Sequence, residues 1–194
     1  MIMTKNILLV GVGGQGTILI SKILTAGFMN KGYDVKMSEI HGMSQRGGSV
    51  TTQIRYGEKV YAPNIGVGDA DLIISFEKIE AVRALPYLKK GGKMITDNRE
   101  IYPMSVLTGE AEYPHNALDE LKAAVGDLLV VPAAETAEKL GNIKATNIVL
   151  LGVLVKYLDL EDVDWESLIR QYVPAKAVDM NINAYRAGRA MAEG

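Results

Sequence analysis

No cysteine occurs anywhere in the 194-residue chain. Disulfides, thiolate zinc centres and cysteine-ligated iron–sulfur clusters are therefore excluded as properties of this polypeptide. Any electron transfer it joins needs a redox centre on another chain or on a bound organic cofactor. Histidine is nearly as scarce. His41 and His115 are the only two, too few for a multi-histidine metal site, and no Ser/His/Asp or Cys/His arrangement is evident. Charge of one sign is not in excess: the net charge is -2 and the pI about 5.8. Such mild acidity gives no general attraction for nucleic acid or an anionic membrane. Long apolar runs are missing too. No run of apolar residues and glycine is longer than Ile148 to Val155, which is far short of the ~20 residues that span a bilayer. Residues 1 to 6 show no signal-peptide pattern. The expectation is a cytoplasmic chain with no membrane and no nucleic-acid partner.

What is present is the ordinary balance of a soluble globular protein, with 48% hydrophobic and 23% charged residues. The length is enough for one compact domain with a sizeable core. No repeat, linker or low-complexity stretch divides it, so residues 1–194 are expected to form a single module.

The hydrophobic pattern alternates between strand and helix periods. Ile7 to Val10 is a continuous apolar run ending in glycine, as in a parallel strand covered on both faces. Ile20, Ile23, Leu24, Gly27 and Phe28 then lie on one face of a helix, closed by Lys31-Gly32, and Tyr33 to Ile40 reads as a second strand. Strand, glycine turn, helix and strand within ~30 residues make a βαβ unit. Further strands are expected at Val50 to Tyr56, with a hairpin through Gly57-Glu58 into Lys59 to Ala62, and at Asp71 to Ser75, Lys93 to Thr96, Met104 to Leu107 and Leu128 to Val131. A Gly91-Gly92 turn precedes the strand at Lys93. Helices are expected at Glu77 to Leu88, His115 to Val125, Ala133 to Leu140, Thr146 to Tyr157, Asp164 to Tyr172 (capped by Asp164) and Pro174 to Ala192. The predicted fold is α/β: a Rossmann-like, mainly parallel sheet with helices on both faces and a helical C-terminal extension.

Two motifs carry chemistry. In "GVGGQG", Gly11, Gly13 and Gly16 satisfy G-x-G-x-x-G between a strand and a helix. The first glycine permits the tight turn, the second a close ligand approach and the third helix–strand packing. The helix N-terminus then offers unpaired N–H groups to an anion. Gly14, Gln15 and Thr17 complete the turn as candidate ligand contacts. Glu39, near the end of the second strand, could bond a ribose hydroxyl. On this motif alone a nucleotide-like ligand and a merely structural turn stand level. Gln15, a large polar residue within the turn, and the long loop after Glu39 argue against an ordinary dehydrogenase.

In "HGMSQRGGSV", Arg46 stands beside Gly47 and Gly48. A guanidinium fork suits a carboxylate or phosphate, and the glycines let backbone approach a partner. A lone R-G-G is by itself also what a surface turn looks like. Its place directly after the second strand, at the carboxyl end of the sheet, points to a gripping loop. Glu77 either lines the same cleft or caps its helix. His41 could orient a ligand beside the loop. His115 reads as surface, Asp69 and Asp71 as loop ends, and Asn64 and Asn147 as turn or cap residues that could edge a pocket.

Together "GVGGQG", "HGMSQRGGSV" and "DADLIISFEKIEAVRALPYLKKGGKMI" resemble the gamma-type subunits of 2-oxoacid:ferredoxin oxidoreductases, and "HGMSQRGG" resembles the smaller chain of the indolepyruvate branch. The likeness runs nearly end to end, including "PAKAVDMNINAYRAG". It implies an enzyme that decarboxylates a 2-oxoacid, in this branch an aryl pyruvate, on thiamine diphosphate. Two electrons pass through iron–sulfur clusters to ferredoxin, and an acyl-CoA is released. The thiamine and clusters would sit on a larger partner chain, through which ferredoxin is reached. This chain would hold no tight cofactor of its own and would help to close over coenzyme A as cosubstrate. Two other readings are a self-sufficient NAD(P)- or FAD-dependent dehydrogenase with Glu39 on the ribose, and a non-catalytic nucleotide-binding scaffold.

Overall fold

The computed structural model describes residues 3–41 and 47–192. Its frame is one six-stranded sheet: β1 (Lys5–Val12), β2 (Asp34–His41), β3 (Ser49–Gly57), β4 (Ala70–Ser75), β5 (Leu88–Asp97) and β6 (Asp127–Val131). In space the order is β2-β3-β1-β4-β5-β6. β3 pairs antiparallel with both β1 and β2, while β1, β4, β5 and β6 pair in parallel. Five strands thus share one direction and β3 opposes them. The connection from β2 to β3, residues 42–48, is too short for a parallel crossover, which takes a dozen residues or more. β3 therefore returns beside β2 and fills the place between it and β1.

Among the described residues the α-helices are α1 (Thr17–Asn30), α2 (Lys78–Ala84), α3 (Met104–Leu107), α4 (Ala117–Ala124), α5 (Ala133–Lys139), α6 (Thr146–Tyr157), α7 (Trp165–Tyr172) and α8 (Val178–Met191). The apolar run of β1 is buried on both sides. Ile7 and Leu9 join a large cluster with residues of α1, α5, α6, α7 and α8. Leu8 and Val10 join a smaller one with residues of α2 and α4. The C-terminal helices are thus the main layer over one face of the sheet. Within that layer α6 and α8 cross backbone to backbone. A Cβ on Gly152 would stand 2.1 Å from the Tyr185 carbonyl oxygen, and one on Gly188 would stand 2.0 Å from that of Val149. The apolar α6 is buried from Thr146 through Val155.

Several local expectations are corrected. Lys59 to Ala62 is not a strand: residues 58–69 form a loop. Its backbone is satisfied by side chains of the neighbouring strands. Val60 N–H donates to Asp34 Oδ2, Ile65 N–H to Gln53 Oε1 at 2.6 Å, and Arg55 to the carbonyls of Ala62 and Asn64. Met104 to Leu107 is a single helical turn rather than a strand. Gly91 and Gly92 lie inside β5, where the register to β4 shifts between Ala70 and Leu72, rather than in a turn before it. The helix expected to reach Leu88 stops at Ala84, and Pro86 sits in a 3-10 turn over Leu85–Tyr87. The last helix starts at Val178 after a 3-10 turn, not at Pro174.

Candidate functional site

β1 ends at Val12, and the chain turns through Gly13 to Gly16 into α1 at the carboxyl edge of the parallel strands, where open α/β sheets bind ligands. Because β3 is antiparallel, its first residues reach the same edge. Gly11 and Val50 are opposite each other, as are Val12 and Ser49. The pairing continues into both loops. Gly13 N–H donates to the Gly48 carbonyl at 2.8 Å, and Gly47 N–H donates to the Gly13 carbonyl at 3.5 Å. The two glycine motifs are therefore stitched together. Arg46 lies outside the described residues.

Each residue of the turn has a separate task. Gln15 folds inward: its Oε1 accepts the Val12 N–H at 2.6 Å and its Nε2 donates to the Phe76 carbonyl at 2.8 Å. The side chain that looked out of place for a dinucleotide loop ties β1 to the end of β4. Gly11 is glycine because a Cβ there would stand 2.7 Å from Gln15 Oε1 and 3.1 Å from Phe76 Cβ. Gly16 has φ +80 and is the uncapped N-cap of α1. Its missing Cβ leaves room for the buried Asn147, whose Nδ2 donates to the Gly16 carbonyl at 3.1 Å. Asn147 is thus a prop beneath the turn. Gly14, at φ +100, faces open space. The N–H groups of Gly14, Gly16 and Thr17 have no partner among the described residues, and no acidic side chain stands in the first turn of α1. These are the features of an anion-accepting turn.

Two clefts flank it. One, of about 340 Å³, is lined by Gly13, Gly14, Thr17, Glu39, His41 and Val50. The other, of about 360 Å³, is lined by Gly14, Gln15, Gly47, Arg99, Lys144 and Thr146 among others. Glu39 does come to the glycine turn, but from β2, two strands away from β1. At about 4.8 Å per strand this is roughly 10 Å. In the dinucleotide-binding order the strand carrying the ribose-binding acid is the immediate neighbour of β1, and here β3 occupies that place. His41 lies on the same face as Glu39.

Glu77 is a cap. Buried at 1% exposure, it accepts the Glu80 N–H at 3.0 Å, the Ile101 N–H at 3.3 Å and the Tyr113 hydroxyl at 2.6 Å. Burial first, and then the Glu77 carboxylate, push the Tyr113 hydroxyl well above the usual phenol range. Asp97, fully buried at the end of β5, accepts the N–H groups of Ala133 and Ala134 at the start of α5. Desolvation pushes its carboxyl up to about 6 despite those bonds. Asn64 meets Arg55 rather than the glycine turn. His115 is exposed, 3.7 Å from Glu100, and Asp71 pairs with Lys89 and Lys5 at the opposite edge of the sheet. Among the described residues no group of three or more His, Cys, Asp or Glu side chains could hold a metal ion, and no helix is long and apolar enough to cross a membrane.

Motif reading did not find Arg99 and Lys144. Arg99 stands two residues beyond the end of β5, so the rule that ligands gather at strand carboxyl ends was the available signal. Lys144 arrives from the 3-10 turn before α6, which no local pattern connects to the glycine turn.

The family profile described as pyruvate ferredoxin/flavodoxin oxidoreductase matches residues 6–191. Indolepyruvate oxidoreductase subunit IorB of Thermococcus kodakarensis is 42% identical over 94% of this chain and 93% of its own length. The subunit of the same name from Archaeoglobus fulgidus is 41% identical over 96% and 94%. The gamma subunit of a keto/oxoacid ferredoxin oxidoreductase from Geobacter sulfurreducens shares the fold, with a TM-score of 0.71 and 23% identity over 97% of this chain and 98% of that one. A 2-oxoglutarate:ferredoxin oxidoreductase from Magnetococcus marinus, solved with 2-oxoglutarate, coenzyme A and succinyl-CoA, contains the same fold within a longer chain, at a TM-score of 0.74 and 18% identity over 98% of this chain and 31% of that one. With a profile spanning nearly every residue and relatives above 40% identity along the whole length, this chain belongs to the pyruvate ferredoxin/flavodoxin oxidoreductase family.

Proposed function

We propose that this chain, as a single module over residues 1–194, is the cluster-free small subunit of a cytoplasmic, heteromeric indolepyruvate:ferredoxin oxidoreductase. The complex converts an aryl pyruvate, coenzyme A and oxidised ferredoxin into an aryl-acetyl-CoA, carbon dioxide and reduced ferredoxin. The observation that carries this reading is the 42% identity, end to end, with an indolepyruvate oxidoreductase subunit. The composition supports the division of labour. A chain without cysteine offers no thiolate for a cluster, so the clusters belong to a larger partner subunit, through which ferredoxin is reached; that thiamine diphosphate sits there too follows from the family resemblance. Thiamine diphosphate supplies the carbanion chemistry of decarboxylation when bound there.

The part played by this chain is binding and orientation. The turn Gly11 to Thr17 forms one wall of the coenzyme A cleft. Its N–H groups at Gly14, Gly16 and Thr17, without a partner among the described residues, are fixed in place by Gln15 and Asn147 and need no reorganisation to accept an anion. Gly47 and Gly48 are held against Gly13, and Arg46, the next residue in sequence, grips the cosubstrate or the partner chain. Separately, the place of β3 between β1 and β2 argues against a self-sufficient dinucleotide dehydrogenase. The test is reconstitution. The purified chain alone is expected to show no reduction of an electron acceptor with indolepyruvate and coenzyme A, whereas co-expression with a large cysteine-rich, thiamine-binding chain restores it. Activity of the isolated chain, or tight NAD(P) or FAD binding by it, would overturn the reading.

A further inference from the structure

We propose that the cleft between the glycine turn, Arg99 and Lys144 is a phosphate site: the two cations supply the charge and Gly14 of the turn supplies a backbone donor. The proposal rests on the glycine turn being the cosubstrate-facing wall and adds which side of it takes the anion, and through which side chains. The two clefts flanking the turn share Gly13 and Gly14 but differ in sign. Among the described residues the Glu39 cleft has a carboxylate and neither lysine nor arginine in its lining. Among the same residues the opposite cleft has Arg99 and Lys144 and no acidic residue.

Neither cation is committed elsewhere. Arg99 and Lys144 make no side-chain hydrogen bond or ion pair among the described residues, whereas other basic side chains are paired, Lys31 with Asp162, Lys78 with Glu100, Arg83 with Glu80 and Arg186 with Glu166. Asp97 acts on Arg99 through space, but its oxygens face the start of α5, where they accept the Ala133 and Ala134 N–H groups. The cations come from separate parts of the chain, Arg99 from the end of β5 and Lys144 from the approach to α6, and meet only across this cleft. A guanidinium fork, an ammonium and the Gly14 N–H around a volume of about 360 Å³ match a phosphate or diphosphate group. Ile101 and Ile143 give the same cleft an apolar side for whatever is attached to the phosphate.

The experiment is calorimetric titration of inorganic pyrophosphate into the full chain. The wild type is compared with the Arg99→Gln/Lys144→Gln pair and with Lys122→Gln, a charge removed from exposed α4. Binding by the wild type is expected, falling by about tenfold or more in the pair and by less than about twofold in Lys122→Gln. In the enzyme assembled with its larger subunit, the pair is expected to raise KM for coenzyme A by about tenfold with kcat little changed. Absence of pyrophosphate binding to the wild type, or equal loss in Lys122→Gln, overturns the site. Pyrophosphate binding that depends on the pair while KM for coenzyme A stays constant supports the phosphate site and refutes the coenzyme A reading. If Gly14→Ala raises KM for coenzyme A and the pair does not, the coenzyme A reading stands and this assignment falls.

Discussion

Gln15 and Asp97 show how single polar side chains hold the carboxyl edge of the sheet in shape. Gln15 satisfies one backbone donor and one acceptor that belong to different strands. Gln15→Ala leaves the Val12 N–H and the Phe76 carbonyl without those partners. The expected cost is about 1–3 kcal/mol, checked by urea denaturation, together with a rise in KM for coenzyme A in the assembled enzyme. Asp97 acts in the opposite sense at neutral pH. Its folded-state pKa, about 6 against an ordinary 3.8, means that the folded chain holds a proton the unfolded chain has released. Stability from this group is therefore greatest below about pH 4, falls as pH rises to about 6, and is level above that. Asp97→Asn removes the dependence. The stability of Asp97→Asn relative to wild type should climb by roughly 2–3 kcal/mol between pH 4 and pH 7, measured by denaturant titration at both ends. A constant difference across that range would refute the assignment.

At the scale of elements, the β2–β3 hairpin sets the geometry of the site. It brings Gly47 and Gly48 to the glycine turn, and β3, standing between β1 and β2, moves Glu39 a strand further out than a dinucleotide site requires. The α6–α8 pair is the other decisive element, since it closes the layer that holds Asn147 under Gly16. Its crossing leaves no room for a side chain at two positions. Gly152→Ala and Gly188→Ala each place a Cβ about 2 Å from a carbonyl oxygen of the facing helix, so neither clash can be relieved by turning a side chain. Each is expected to cost on the order of 2–4 kcal/mol and to lower Tm by roughly 5–15 °C, read by thermal unfolding. Ala187→Gly, on α8 next to Gly188, carries no such clash and is expected to cost only about 1 kcal/mol.

For the whole molecule, the features proposed to meet a ligand gather at one edge of one sheet: the N–H groups of the turn that have no partner among the described residues, the stitched Gly13, Gly47 and Gly48, and the Arg99 and Lys144 cations. Among the described residues no group of three or more His, Cys, Asp or Glu side chains at this edge could hold a metal ion. The consequence belongs to the assembly. A mixture of this chain with its larger partner should elute as one complex on size exclusion. It should need about tenfold more coenzyme A, and keep acceptor reduction from pre-reduced clusters, when Arg99 and Lys144 are both replaced. Loss of both together would place the two residues at the subunit interface instead.

Most of the strands and helices were legible because burial on two faces demands continuous apolar runs and burial on one demands a stripe, and both are written locally in β1, β4, β6, α1 and α6. The glycine turn and the R-G-G loop were legible as motifs, since turns that need a positive φ or a close approach call for glycine. The loop at residues 58–69 was not, because its backbone is satisfied by Asp34, Gln53 and Arg55, partners that no alternation in residues 59–62 reveals. The sequence by itself therefore determined the fold class, the family and the absence of any thiolate cluster. Only the tertiary structure decided that Gln15 and Asn147 prop the turn, that Glu77 is a cap, and that Arg99 and Lys144 line one cleft with the turn. These outcomes depend on which distant backbone groups remain unpaired after packing, and that is settled in space, not along the chain.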